Sequence, residues 1–302
     1  MADLRNLEAF VWIAHFGGFR AAAEKLHTTQ PAVSQRIAQL ERELGVRLFE
    51  REPRRVTLTP KGQELLSYAE RILQLRSDML AAARDAKSMR GLVRLGVAET
   101  IVHTWLAGLI ERLHVQHPEL TLEIDVDTTP QLRERLGAHQ LDIAFLLGPV
   151  VEPRQVNIPL STYPMAWVAD PGLDLGPEPV PFDVLASWPI ITYPRTTLPY
   201  RHVRELLTRA GIAAPRIYGN SSLSTIVRMT LDRIGISAIP PVVIARELTE
   251  GRLRLVQAEG EIPPLDFYAA FPVKPDSHMA EAIAGIAREL SRARLEPTAR
   301  FR

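Results

Sequence analysis

At 302 residues the chain exceeds a usual single domain, so two or more folding units are expected. An apolar fraction of 46% and a charged fraction of 24% are those of an ordinary globular protein, and no run approaches the ~20 apolar residues of a membrane span. The absence of cysteine removes disulfides, thiol catalysis, thiol redox sensing and thiolate metal sites together.

The start, MADLRNLEAF, has no basic-then-apolar export segment, so the expected compartment is the cytoplasm. The net charge of +1 hides an asymmetry. Residues 1–90 hold 15 Lys and Arg against 11 Asp and Glu, the remainder 21 against 24. A surplus of four is modest for a nucleic-acid binder, so charge alone does not make that case. Two such modules in a dimer could still supply the phosphate contacts.

Leu4, Leu7, Phe10, Val11 and Ala14 mark a first helix that Gly17-Gly18 ends. A short alanine-rich helix follows over about Arg20–Leu26, and His27-Thr28 leads into the stretch Thr29–Leu44, TQPAVSQRIAQLEREL. There Val33, Ile37, Leu40 and Leu44 form one helical stripe, which puts Pro31, Ser34, Gln35, Ala38 and Arg42 opposite, with Gln30 and Arg36 on the flanks. Thr29 is a good N-cap, and Pro31 in the first turn removes an amide proton that has no partner there anyway. Alone, such a face is only a solvated one. Behind a tight turn and a preceding helix it is the arrangement that places a recognition helix in a DNA major groove. Arg47–Arg51 and Pro53–Thr59 then read as a two-stranded wing with Arg51, Arg54 and Arg55 on or beside its tip.

The ungapped run FGGFRAAAEKLHTTQPAVSQRIAQLERELGVRLFEREPRRVTLTPKGQELL resembles the amino-terminal domain of LysR-type transcriptional regulators. Thr29 stands where that family usually has Ser, which keeps the cap. The resemblance implies that Gln30, Pro31, Ser34, Gln35 and Arg36 are base- and phosphate-contacting helix positions, and that Arg51, Arg54 and Arg55 are wing contacts. With Thr29 these form the expected DNA-binding set, and residues 1–59 the winged helix-turn-helix domain.

Thr59-Pro60 opens a further helix, a cap followed by proline at the first helical position. It is expected to run to about Ser88, some 30 residues and about 45 Å. Leu65, Tyr68, Ile72, Leu75, Met79 and Ala82 form a heptad stripe, and Leu66, Ala69, Leu73, Leu80 and Ala83 a second, broken by Arg76. One stripe would pack on the winged domain and the other on a partner helix; the alternative is an intrachain helix buried on both sides. Two copies would set half-site spacing on DNA. A homodimer through residues 60–90 is therefore expected, as the resemblance also implies.

Arg90-Gly91 reads as a hinge. Strands are expected at Leu92–Val97, Leu120–Val126 and Leu141–Leu147, with helices at Thr104–His114 and Gln131–Leu136, which gives a parallel sheet with flanking helices. A second unit begins near Tyr163, with strands at Ala166–Ala169, Pro189–Thr192 and Ile236–Ile239 and helices at His202–Ala210 and Leu223–Leu231. A strand at Phe267–Phe271 and a helix at His278–Ala293 close the chain. Two α/β lobes resemble the family's effector domain, built like a periplasmic binding protein. By that resemblance residues 91–163 and 266–302 form lobe I and 164–265 lobe II. The expected class is α/β overall: a winged helix-turn-helix, a long linker helix and a two-lobed effector domain.

In parallel sheets ligands bind beyond the C-terminal ends of strands, where helix starts favour anions. Thr100 and Thr129 follow strands of lobe I, Tyr193-Pro194-Arg195-Thr196-Thr197 follows one of lobe II, and Ser221 and Ser222 precede a helix. Thr100, Thr129, Tyr193, Pro194, Arg195, Thr197, Ser221 and Ser222 match effector-pocket positions of the family and form the expected effector set. Capping alone is the competing role for Thr100, Thr129, Ser221 and Ser222. Arg195 would take a carboxylate bidentately, or be a surface arginine. Ala98 stands where many relatives carry a hydroxyl, and Arg233 where the family often has glycine, so both could alter the usual pocket.

An enzyme, a metal sensor and a transport lobe are the rivals. No nucleotide-loop, GxSxG or HExxH motif is present, and Asp125, Asp127 and Asp142 lack a well-placed histidine. His103, His114 and His117 fall near one another, but at opposite ends of one helix and in the next turn. No catalytic residue, metal site or cofactor is expected. The expected partners are an operator in double-stranded DNA, a second copy of the chain, a homotetramer through the α/β lobes, and an anionic small-molecule effector. RNA polymerase is a further candidate partner, and no membrane is involved.

Overall fold

Asp3 starts the first helix, α1 (Leu4–Phe16), by accepting from the Arg5 amide, and Gly17, at φ +65°, ends it. The computed structural model describes residues 3–52, 55–83, 89–273 and 277–293. The chain divides into one unit of Met1–Lys87 with Val273–His278 and a larger unit of Ser88–Pro272 with Met279–Arg302.

In the first unit α2 (Phe19–Lys25) precedes α3 (Gln30–Leu44). Thr29 caps α3 as expected, its hydroxyl oxygen accepting from the Ala32 amide at 3.4 Å. Val33, Ile37 and Leu40 are sealed into a core with Phe10, Ile13 and Leu48, but Leu44 is 40% exposed. The stripe stops one turn early because Leu44 is the last helical residue before Gly45 turns the chain. The wing is β1 (Phe49–Glu52) paired antiparallel with β2 (Arg55–Leu58). Arg51 and Arg55 lie on these strands; Arg54 and the side-chain positions of Arg51 and Arg55 lie outside what is described.

Helix α4 (Pro60–Ala83) begins at Thr59, whose hydroxyl oxygen accepts from the Gly62 amide at 2.9 Å. Gly62 is required by close approach, since a Cβ there would stand 2.1 Å from the Leu48 carbonyl oxygen. Over their described residues the two stripes of α4 face different ways, except that Leu65 of the first also packs against the head core. Leu66, Ala69 and Leu73 are buried in the head core, and Arg76 reaches Glu8 of α1 at 2.6 Å. Tyr68, Ile72, Leu75 and Met79, on the other stripe, are between 46% and 64% exposed. The expected continuation to Ser88 falls on residues 84–88, outside the described ones.

The second unit opens with β3 (Gly91–Val97), α5 (Glu99–Val102), α6 (Leu106–Gln116), β4 (Leu120–Val126), α7 (Thr129–Gly137), β5 (Ile143–Leu147) and β6 (Gln155–Tyr163). Then come β7 (Ala166–Ala169), α8 (Phe182–Ser187), β8 (Ile190–Thr192), α9 (Leu198–Arg209), β9 (Ile217–Gly219), α10 (Leu223–Leu231) and β10 (Ile236–Ile239). The chain finishes with α11 (Ala245–Thr249), β11 (Arg254–Val256), β12 (Leu265–Pro272) and α12 (His278–Ala293). One sheet has the order β4-β3-β5-β12-β6 and the other β11-β7-β10-β8-β9. The last strand thus lies in the first sheet, and Arg112 of α6 holds Glu289 of α12 at 2.7 Å.

The sheets are mixed, not parallel throughout. β3 runs parallel to β4 and β5, and β8 parallel to β9 and β10, whereas β12, β6, β7 and β11 pair antiparallel. The parallel centre reads as continuous apolar sequence because helices cover both faces; all of Ile143–Leu147 is buried. The expected helix over Thr104–His114 is α6, displaced by two residues, and the short α5 before it was not expected. Within the expected hinge, Gly91 is the first residue of β3 and pairs with Leu120, while the Arg90 guanidinium meets the Glu119 carboxylate at 3.3 Å.

Candidate effector cleft and DNA-facing helix

The loops after β3, β4, β5, β8 and β9 converge on one cleft between the two sheets' lobes. Its polar rim comes from Glu99, Thr100, Asp127, Thr128, Thr129, Thr197 and Ser221, and its apolar walls from Ala98, Leu147, Tyr193, Pro199, Leu265 and Phe267. This is the position that parallel strands prescribe, with helices α5, α7, α9 and α10 starting at its edge.

Among the described residues, hydrogen bonds join the lobes across it at two places. The Thr100 and Tyr193 hydroxyls lie 3.0 Å apart, and the Glu99 carboxylate accepts from the Leu223 amide at 2.6 Å. Burial, with the Glu99 charge adding to it, pushes the Tyr193 phenol well above its usual value, while the bond to Thr100 draws it down. The phenol therefore stays protonated and can donate to Thr100 or to a ligand.

Thr100 is not a cap. It sits within α5, 2% exposed, behind Ala98 in the cap position, and its hydroxyl is spent on Tyr193. Thr129 is not a cap either: Thr128 precedes α7, and the Thr129 oxygen accepts from the Leu147 amide at 3.1 Å. Thr197 precedes α9 and donates to the Pro194 carbonyl at 2.7 Å. Ser222 does cap α10, accepting from Thr225 at 3.3 Å. Thr100, Thr129, Tyr193, Thr197 and Ser221 thus line one cleft, whereas Pro194, Arg195 and Ser222 do not, and Arg195 is exposed. Glu99, Asp127 and Thr128 line it without having been singled out from sequence as pocket residues.

On α3, Thr29, Gln30, Pro31 and Gln35 are exposed and Ser34 and Arg36 half-buried, opposite the sealed Val33, Ile37 and Leu40. The family described as "Bacterial regulatory helix-turn-helix protein, lysR family" matches residues 4–63, and "LysR substrate binding domain" matches residues 86–292. The chain belongs to the LysR family.

The relatives agree. The "Probable hydrogen peroxide-inducible genes activator" of Mycobacterium avium is 32% identical over 261 residues, 84% of this chain and 83% of that one. "HTH-type transcriptional regulator GltR" of Bacillus subtilis (strain 168) is 28% identical over 264 residues, 83% and 84% of the two chains. Among solved structures, a Corynebacterium glutamicum OxyR C206 mutant is 27% identical with a TM-score of 0.57, covering 99% of this chain and 94% of that one. The protein is accordingly a LysR-type transcriptional regulator, with a helix-turn-helix domain for DNA and an effector-binding domain.

In this LysR regulator the acids considered for catalysis have structural partners. Asp142 grips the Arg94 guanidinium at 3.0 and 3.2 Å, and Asp125 holds Arg135 at 2.6 Å. His117 accepts from the Met89 amide at 3.2 Å, while His103 lies 3.7 Å from Glu99. Among the described residues no group of three or more metal-ligating side chains is placed to share an ion, and no helix is long and apolar enough to cross a membrane.

Proposed function

We propose that the outward face of α3 reads operator sequence in the major groove. Gln30, Ser34, Gln35 and Arg36 would supply base discrimination, with Thr29 and Pro31 setting the helix start and Arg51, Arg54 and Arg55 contacting phosphates from the wing. The observation that carries this reading is the division of α3 into a sealed apolar stripe and an exposed polar face. The functional segments are 1–59 for the head, 60–90 for the linker, 91–163 with 266–302 for lobe I, and 164–265 for lobe II.

The uncovered stripe of Tyr68, Ile72, Leu75 and Met79 supports a homodimer through α4, with tetramers formed through the α/β units. A small molecule in the cleft would bind one arrangement of the lobes better than another, and shift the equilibrium only by that difference. The shift would alter how two heads engage DNA, and RNA polymerase is the partner on which that change would act. The paired state of Asp125 and Asp142 supports a binding role without catalysis, and a regulator that reads DNA would act in the cytoplasm. A relative is named for induction by hydrogen peroxide, but these 302 residues contain no cysteine, so any peroxide response here would need chemistry other than thiol oxidation.

The test is the ratio of operator to random-DNA affinity for Gln35→Ala, measured by fluorescence anisotropy. The expected result is a loss of operator affinity of ~10-fold, in line with the ~1–3 kcal/mol of a base contact, with random-DNA binding unchanged. Equal losses on both DNAs would remove Gln35 from the reading face.

A further inference from the structure

Helix α10 starts at the cleft, and its first amides are what an anionic ligand would seek. That place is taken. Glu99, from the opposite lobe, puts Oε2 on the Leu223 amide at 2.6 Å, while Oε1 faces His103 at 3.7 Å. Its side chain is only 19% exposed. Asp127 is the second acid of the lining, accepting from the Thr128 amide at 2.7 Å, and no Lys, Arg or His is among the described residues that line the cleft. The remaining hydroxyls are partly committed: Thr100 to Tyr193, Thr129 to Leu147 and Thr197 to Pro194.

We propose that Glu99 determines the specificity of the effector cleft: it fills the helix start an anion would use and selects a small organic cation, an amine on a short apolar body. This rests on the reading of the cleft as the effector site, and it replaces the anionic effector expected from the helix starts alone. A carboxylate ligand would meet two like charges in a partly dehydrated space and would have to displace Glu99 from Leu223. An ammonium group finds Glu99 and Asp127 as acceptors, and Leu147, Pro199 and Phe267 offer walls for its carbon skeleton. Both lobes gain from the same ligand, because Glu99 already spans from one to the other.

The test uses full-length protein and three probes on one skeleton, benzylamine, benzyl alcohol and benzoate, with affinities from titration calorimetry. Wild type is expected to bind benzylamine at least ten times more tightly than benzoate. Glu99→Gln keeps an oxygen to accept from Leu223, so a merely structural bond survives while the charge is removed. In E99Q the benzylamine-to-benzoate preference should fall at least tenfold, with benzyl alcohol changed less than threefold. A preference for benzoate in wild type, an unchanged preference in E99Q, or no binding of any probe to either form overturns the proposal. Ser221→Trp, at an exposed position of the rim, separates this from the cleft reading. If S221W, shown folded by circular dichroism, binds all probes as wild type does, the ligand lies elsewhere and it is the cleft reading that fails.

Discussion

Arg233 holds the left-handed conformation, φ +57°, at the end of α10. Its amide donates to the Thr230 carbonyl and that of Ile234 to Met229, at 3.1 and 3.0 Å, the paired bonds of a helix end that favours glycine. A side chain there costs about 1–2 kcal/mol of backbone strain. The guanidinium offsets some of it by holding Asp170 at 2.8 Å, a carboxylate only 12% exposed. The departure from the family's glycine was therefore visible in the sequence, but its compensation was not, because Asp170 lies 63 positions away. Removing the ion pair in both directions isolates the backbone. Arg233→Gly should melt higher than Arg233→Ala by the equivalent of about 1 kcal/mol. Thermal unfolding followed by circular dichroism decides, and equal melting temperatures would mean that the turn carries no strain.

At the scale of elements, α3 and α10 were legible because each joins a helical periodicity to a capping hydroxyl, Thr29 and Ser222. β6 was not, since Pro159 interrupts its alternation, and β9 and β11 are three residues each and mostly not buried, so no apolar run marks them as Ile190-Ile191 marks the equally short β8. The cleft divides in the same way. Hydroxyl residues after strands follow from the geometry of parallel sheets, whereas Glu99 could not be found, its partner Leu223 being 124 positions distant. Helix α4 showed two stripes in sequence without saying which faced the head. The structure assigns the one with Leu66, Ala69 and Leu73. Opposite outcomes follow for neighbouring substitutions. Leu73→Ala should destabilise the head by about 2–4 kcal/mol, as large-to-small core changes do, leaving assembly at saturating concentration intact. Ile72→Glu should leave melting within about a kcal/mol yet shift sedimentation toward the monomer. If I72E remained dimeric at micromolar concentration, the exposed stripe would not be the interface.

For the whole molecule the question is how a head with a surplus of only four positive charges over residues 1–90 holds DNA. Affinity for a duplex comes largely from counterions released as phosphates are neutralised, and the slope of log K against log salt counts them at about 0.9 per phosphate. One head, with its small surplus, should give a shallow slope. In the proposed dimer, two heads tied through α4 would release two sets of counterions in one event, so the slope should double even though nothing within either head changes. The monomerised I72E variant tests this directly. Against a duplex carrying both half-sites, anisotropy titrations across salt concentration should show its slope near half that of the wild type. Removing the wing cations with Arg54→Ala and Arg55→Ala in the dimer should flatten the slope by about one unit for each phosphate no longer neutralised, while operator preference persists. The two interventions act on different quantities, one on the number of heads and the other on the cations each head brings to the backbone. A slope unchanged in I72E, despite proven monomerisation, would mean that a single head neutralises every phosphate the protein uses, and that joining two serves the choice of sites alone.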